Sequence, residues 1–213
     1  MSLTRCPIAV IDGADAPQIQ RVLADFAVRH RGDMRIAGVV EVFADAACKQ
    51  SFLRSLAGGR EFTLFQDLGE AADACALLPE GLVTAAYAVC QDIARGCDLV
   101  ILSKFGKLEA ENGSGLVPAF VAALEAGVPV LTSVSPRFTS VWSSFATPLY
   151  SQLECSSAAI DDWWIGLMTQ VARTSPLLGS DHAHSHAVCD KLGQRISDAT
   201  SAARRNPRTT LPE

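Results

Sequence analysis

Short apolar runs rich in β-branched residues alternate along this chain with longer stretches of helical period, and that alternation constrains the fold more than any other feature. Ile8-Ala9-Val10-Ile11 reads as a buried strand closed by the turn residues Asp12-Gly13. From about Ala16 to Val28 the apolar residues Ile19, Val22, Leu23 and Phe26 recur at helical spacing. Ile36 to Phe43 reads as a second strand, Gly81 to Ala94 as a helix, and Asp98 to Leu102 as the clearest strand of all. A helix over Leu116 to Ala126, a strand over Val128 to Val134 and a final helix over Trp163 to Val171 complete the series. Strands separated by helices of about ten residues or more predict βαβ units and a mostly parallel sheet, hence a three-layer α/β fold. The middle differs. Residues 36–66 hold two strand-like segments, the second a half-exposed strand from Glu61 to Gln66 after the Gly58-Gly59 turn, and one weak helix. A hairpin or β-meander insertion is expected there.

Composition sets the class. Apolar residues make up 49% of 213, enough for one real core, which excludes disorder as the main state. The formal net charge of -5 argues against broad electrostatic binding of nucleic acid. No apolar run approaches the roughly 20 residues of a membrane span, and the N-terminus leads straight into a strand rather than reading as a signal peptide. The seven cysteines are scattered without a CxxC and read as reduced thiols of a cytoplasmic protein, serving mainly as small core hydrophobes; Cys90 and Cys97 are expected to be buried. Trp142, Trp163 and Trp164 read as cover for the core or a dimer interface. From about Ser175 the composition turns to Ser, Ala, Arg, Thr and Pro. The expected organisation is one domain over 1–174 and a mobile tail over 175–213.

In an open α/β sheet ligands bind beyond the carboxyl ends of the strands, which directs attention to three loops. The first, Asp12-Gly13 onward, lies where a P-loop would lie. Counting from Gly13, the last three positions of such a loop hold Gln18, Ile19 and Gln20, so its closing glycine, its lysine and its hydroxyl are absent. It reads either as a relic anion cradle or as an ordinary strand-to-helix turn with Asp15 as N-cap and Pro17 near the first helical position. The second loop runs from Ser103 to Gly115. Lys104 and Lys107 flank Gly106, and Asn112-Gly113-Ser114-Gly115 opens a helix; cations beside helix amides and small residues suit an anion. Glu109 and Glu111 would pair with the lysines, or one would serve as a base or metal ligand. The third loop offers Ser133, Ser135 and Arg137, and Arg137 would complete an oxyanion clamp. Each of these loops also reads as a plain solvated surface. In the tail, His182, His184 and His186 alternate ahead of Cys189, a spacing that would let a divalent transition metal be held in an extended segment.

The run from Asp98 through Ser103-Lys104-Phe105-Gly106-Lys107-Leu108-Glu109-Ala110, with Gly113-x-Gly115-Leu116, resembles a bacterial family known only as a domain of unknown function, whose members are often labelled molybdenum-transport-associated or nucleoside-triphosphatase-like. Phe65-Gln66-Asp67-Leu68-Gly69, Cys75, Pro79-x-Gly81-Leu82 and Gly127-Val128-Pro129-Val130-Leu131 are similar to it as well, so the resemblance spans roughly residues 6–165. That family in turn is similar to the thermophilic-type nucleoside triphosphatases, which are P-loop proteins with a β-meander between their first helix and their Walker B strand. The resemblance implies a P-loop-like fold in which Ser103-Lys104 stand where the acidic pair of Walker B would be, while Gly106 and Glu109 keep their places.

The reading these residues support is a non-hydrolysing binding or accessory protein for a small oxyanion or phosphate-bearing ligand. That ligand would lie among Asp12, Gly13, Ser103, Lys104, Gly106, Lys107, Asn112, Gly113, Ser114, Gly115, Ser135 and Arg137. The family association implies molybdate or molybdenum-cofactor metabolism, with a homo-oligomer or a molybdenum-pathway protein as partner. Two alternatives stand beside it: a phosphohydrolase with a rearranged site and Glu109 as base, and a metal-capturing scaffold acting through the histidine tail.

Overall fold

A computed structural model of the chain describes residues 7–43, 51–66 and 76–174. The tail histidines, Cys189 and the 175–213 segment lie outside the described residues, as do 67–75 of the family-like stretch. The chain opens with strand β1 (Ile8–Asp12) and helix α1 (Ala16–Arg29). Four strands follow: β2 (Ile36–Phe43), β3 (Ser51–Ser55), β4 (Glu61–Thr63) and β5 (Phe65–Gln66). Then come β6 (Ala76–Leu77), α2 (Pro79–Ala94), β7 (Leu99–Leu102), α3 (Lys107–Asn112), α4 (Val117–Glu125) and β8 (Val130–Ser133). A short 3-10 turn (Pro136–Phe138), α5 (Thr139–Ala146), β9 (Tyr150–Glu154) and α6 (Ser157–Thr174) complete the described fold.

Seven strands form one sheet in the order β4-β3-β2-β7-β8-β1-β9. The five strands from β2 to β9 are parallel, and β3 and β4 are added antiparallel at one edge, so the expected meander is present. Both faces are covered. Ala9, Ile11, Val40, Leu99 and Ile101 pack on one side against α1 and α6, through Leu23, Phe26, Ile160 and Trp163. Val10, Val39, Val100, Leu102 and Val130 pack on the other against α2, α4 and α5, through Val89, Phe120 and Trp142. This is the three-layer α/β arrangement read from the alternation of runs. Four-residue strands such as β7, every residue buried, read as unbroken apolar runs because a parallel sheet has no solvent face.

Where structure and sequence reading differ, the cause is local. Among the described residues of the middle section there is no helix, and Ser51–Ser55 is strand β3: Ser51, Leu53 and Ser55 turn inward while Phe52 and Arg54 turn out, a period of two. The Ser103–Gly115 stretch is not one loop, because α3 fills Lys107–Asn112. The edge strand β9 gave no apolar signal, since Tyr-Ser-Gln-Leu-Glu carries polar residues on a boundary strand. Cys90 and Cys97 are half-buried and pack against the core rather than within it. Trp142 and Trp163 are core residues. No helix among the described residues is long and apolar enough to cross a membrane.

One glycine fixes the sheet's geometry. Gly38 in β2 has φ of 124°, and a Cβ there would collide with the backbone of Ile101 in β7. Only glycine lets these two strands approach at this point.

Candidate functional site

β1 and β8 lie side by side, but the chain leaves them toward opposite faces. After β1 it enters α1 on one side, and after β8 it enters the 3-10 turn and α5 on the other. This divergence is the switch point at which open α/β sheets form a crevice. A small cavity of about 70 Å³ lies there, bordered by Asp12, Thr139, Trp142, Tyr150 and Gln152.

The first loop is closed on itself. Asp12 Oδ1 accepts the Gly13 amide at 2.7 Å, and its other oxygen lies 3.4 Å from Gln152 Nε2. Asp15 caps α1 by accepting the Gln18 amide at 2.8 Å, with Pro17 in the first turn. The helix start therefore carries a resident carboxylate, an anion of the chain's own at the place where a bound anion would be favoured. Gly13, at φ of 85°, makes the turn and has open space around it.

Gln20, the residue that stands where a P-loop hydroxyl would be, is nearly completely buried. The β2–β7 ladder ends at the Val39–Leu102 pair. In a parallel ladder of this register the next bond would run from the Glu41 amide to the Ser103 carbonyl. The Gln20 carboxamide occupies that gap. Its oxygen accepts the Glu41 amide at 2.8 Å and its nitrogen donates to the Ser103 carbonyl at 2.7 Å. Ser133 Oγ donates to the same carbonyl at 2.8 Å. Beyond this seam β7 turns toward β8, where Phe105 and Ser135 continue the pairing through 2.8 and 2.9 Å backbone bonds.

Lys104 emerges from the seam on the α2 side. Its ammonium donates to Glu41 Oε2 at 2.7 Å, and Ser51 Oγ donates to Glu41 Oε1 at 2.5 Å. Glu41 is 4% exposed, whereas the Lys104 side chain is 40% exposed. A buried carboxylate is thus answered by a lysine that still reaches solvent. Glu41 and Ser51 escaped the sequence reading. The available signal was a single carboxylate inside the apolar run Ile-Ala-Gly-Val-Val-Glu-Val-Phe, at the carboxyl half of its strand.

Glu109 is 5% exposed. One oxygen accepts the Gly106 amide at 2.9 Å and the other accepts the Leu116 amide at 2.8 Å. Burial pushes its carboxyl above the ordinary glutamate range, against the pull of the Leu116, Glu109 and Gly106 amides and, more weakly, of Lys104. A carboxylate with both oxygens committed to loop amides ties the start of α3 to the start of α4 and is not poised to take a substrate proton. The space it occupies also dictates the chain beside it: Gly115 has φ of 62°, and a Cβ there would strike the Glu109 carboxylate.

The remaining predicted residues are dispersed. Asn112 ends α3, and Gly113, at φ of 57°, forms its left-handed cap. The Gly113 and Ser114 amides donate to Glu109 and Leu108 carbonyls, so they serve the cap rather than stand open at a helix start. Ser114 Oγ lies 3.4 Å from the Leu108 carbonyl. Lys107 projects from α3, 71% exposed, with its ammonium 3.9 Å from Glu111. Ser135 begins the 3-10 turn and Arg137 lies exposed within it. The structure gathers Ser103, Lys104, Gly106 and Ser135 around the end of β7 and gives each lysine its own carboxylate.

The family model described as "Protein of unknown function (DUF2478)" matches residues 8–163. The chain belongs to this family. Across 178 residues the chain is 34% identical to Molybdenum import ATP-binding protein ModC 2 of Bradyrhizobium diazoefficiens, a match over 82% of this chain and 19% of that protein. The chain therefore spans about a fifth of the length of the curated relative it matches. Among solved structures it is similar to the crystal structure of THEP1 from the hyperthermophile Aquifex aeolicus, at a TM-score of 0.51 and 13% identity, over 72% of this chain and 91% of that one. The chain thus shares its α/β fold with THEP1, as the resemblance implied.

Proposed function

We propose that this chain is a non-hydrolysing accessory domain that binds a small oxyanion or phosphate-bearing ligand at the carboxyl end of its sheet, in the handling of molybdenum in the cytoplasm. One observation carries the reading: Lys104 stands at the end of the central strand with an exposed ammonium, anchored by buried Glu41 in a fold related to P-loop proteins. Glu41 accepts one of three ammonium donors, so two are left for a ligand among the described residues. Lys107 adds a second, exposed charge on α3. The residues that would serve magnesium and a triphosphate are replaced here, by Ile19 and by Gln20, which the strand seam has absorbed. The molybdenum connection rests on the similarity to part of a molybdenum import ATP-binding protein.

Calorimetric titration with molybdate, tungstate, phosphate and nucleotides tests the proposal. Binding of one of them, weakened about tenfold by Lys104→Ala and less by Lys107→Ala, is the expected result, since charge-assisted bonds are worth that much. No binding by any of the four, or binding indifferent to both substitutions, overturns it. Magnesium-dependent phosphate release by the intact chain would instead favour the hydrolase.

A further inference from the structure

A second cavity lies at the opposite end of the sheet. It measures about 650 Å³, a volume in the range of nucleotide and cofactor sites. Its floor is apolar: Ala27 and Met34 from the α1 end, and Ile36, Ala37 and Cys97 from the amino ends of β2 and β7. Its rim is cationic. Arg31 follows α1, Arg35 precedes β2 and Arg95 caps α2, against Asp92 as the one carboxylate of the lining. The β3–β4 turn closes the third side with Gly58 and Gly59, around which a Cβ would meet nothing within 4 Å, so a ligand can approach the backbone there.

The charges favour an anion through geometry more than through their sum. The Arg35 guanidinium meets Asp98 in a single contact of 3.3 Å, while the Arg35 amide holds the other carboxylate oxygen at 2.7 Å, and the Arg95 guanidinium meets Asp92 in a single contact of 2.9 Å. Both arginine side chains are about 70% exposed, at 68% and 71%. The Arg35–Asp98 pair is exposed on both sides and its guanidinium contact is weak, Asp92 is half-buried, and each guanidinium keeps further N–H donors. Arg31 has no carboxylate partner among the described residues. The carboxyl ends of α1 and α2 face this side and offset part of the positive charge, roughly half an elementary charge each. What remains is a set of three planar forks around an apolar floor, and guanidinium forks match phosphate oxygens bidentately. Gly96, at φ of 92°, leaves the Arg35 guanidinium room to lie across it.

We infer that this groove is a second ligand site, for an organic phosphate of mononucleotide size: its ring or chain on the Ala37–Cys97 floor and its phosphate on Arg31 and Arg95. The site is separate from the one at Lys104, so each can fail without the other.

Titration of the full chain with AMP, ribose 5-phosphate, inorganic phosphate and adenosine tests this. The expected order is AMP above ribose 5-phosphate, then inorganic phosphate, with adenosine weakest, since only AMP engages both floor and rim. The double substitution R31A/R95A is expected to weaken AMP about tenfold or more, and Ala57→Trp, which fills the groove without altering its charge, to weaken it similarly. Arg54→Ala, which removes an exposed cation outside the groove, is expected to leave AMP binding unchanged. Thermal melting and circular dichroism of each variant check that the fold is intact. No saturable binding of any phosphate, or AMP binding that survives both R31A/R95A and Ala57→Trp, overturns the inference. Loss of AMP binding in Lys104→Ala alone would move the site to the other end of the sheet and overturn it as well.

Discussion

The two ends of the sheet hold the same kinds of charged group and use them differently. At the carboxyl end two carboxylates are inside: Glu41 and Glu109 are both buried, and their partners are fixed at 2.5 to 2.9 Å. At the amino end both guanidiniums lie in solvent, each with a single side-chain contact to its carboxylate, Asp98 exposed and Asp92 half-buried. Burying a charge makes its partner indispensable, because the unpaired state is so costly; leaving it in water makes the partner replaceable. The first end is therefore built to hold its shape, and the second is free to exchange an internal partner for a ligand.

Substitutions can break this contrast. The largest effect is expected for Glu109→Ala, which orphans two buried amides and should cost about 3 kcal/mol by denaturant unfolding. Glu109 also gives the fold a pH dependence. Its folded-state carboxyl lies above the ordinary range. Its contribution is therefore fullest below the ordinary glutamate value and is lost as pH rises through the raised one. The stability of Glu109→Ala, followed across that window, should lack this decline. Gln20→Ala comes next, at about 2 kcal/mol, since the Glu41 amide loses its acceptor among the described residues while the Ser103 carbonyl keeps Ser133. Lys104→Ala should cost about 1 to 2 kcal/mol, less than a fully buried pair because its solvent-exposed ammonium screens the interaction, and the double variant K104A/E41Q should recover most of it. The smallest effect belongs to the amino end. Arg35→Ala should cost about 0.5 kcal/mol or less. Arg35, through its backbone amide first and its guanidinium second, holds the Asp98 carboxyl below the usual carboxylate range. The stability it supplies is thus present above the ordinary aspartate value and lost as pH falls through the lowered one. Equal costs at the two ends would erase the contrast.

The elements with strong period were legible in the sequence: β1, α1, β2, α2, β7, α4 and β8 lie where apolar spacing places them. The meander was legible as a departure from that rhythm. What escaped was short, polar or long-range. α3 is six residues with little apolar content, and β9 sits at an edge where no face demands alternation. Lys104 drew attention through its position after the central strand, but its partner Glu41 lies 63 residues earlier, and no local pattern links the two. Gln20 was counted for what it lacked as a P-loop residue; its bonds to two strands depend on a register that sequence spacing does not state.

The Gln20 seam has a mechanical consequence. A single carboxamide spans α1, β2 and β7, and both of its bonds are short. The helix is in effect geared to the strand ends: a rotation of α1 about its own axis cannot proceed without shifting Ser103 relative to Glu41. Lys104 is the next residue along the chain, and it grips the carboxylate of that same glutamate. A torque applied at the Asp15–Pro17 turn is delivered to the mouth of the sheet through one side chain.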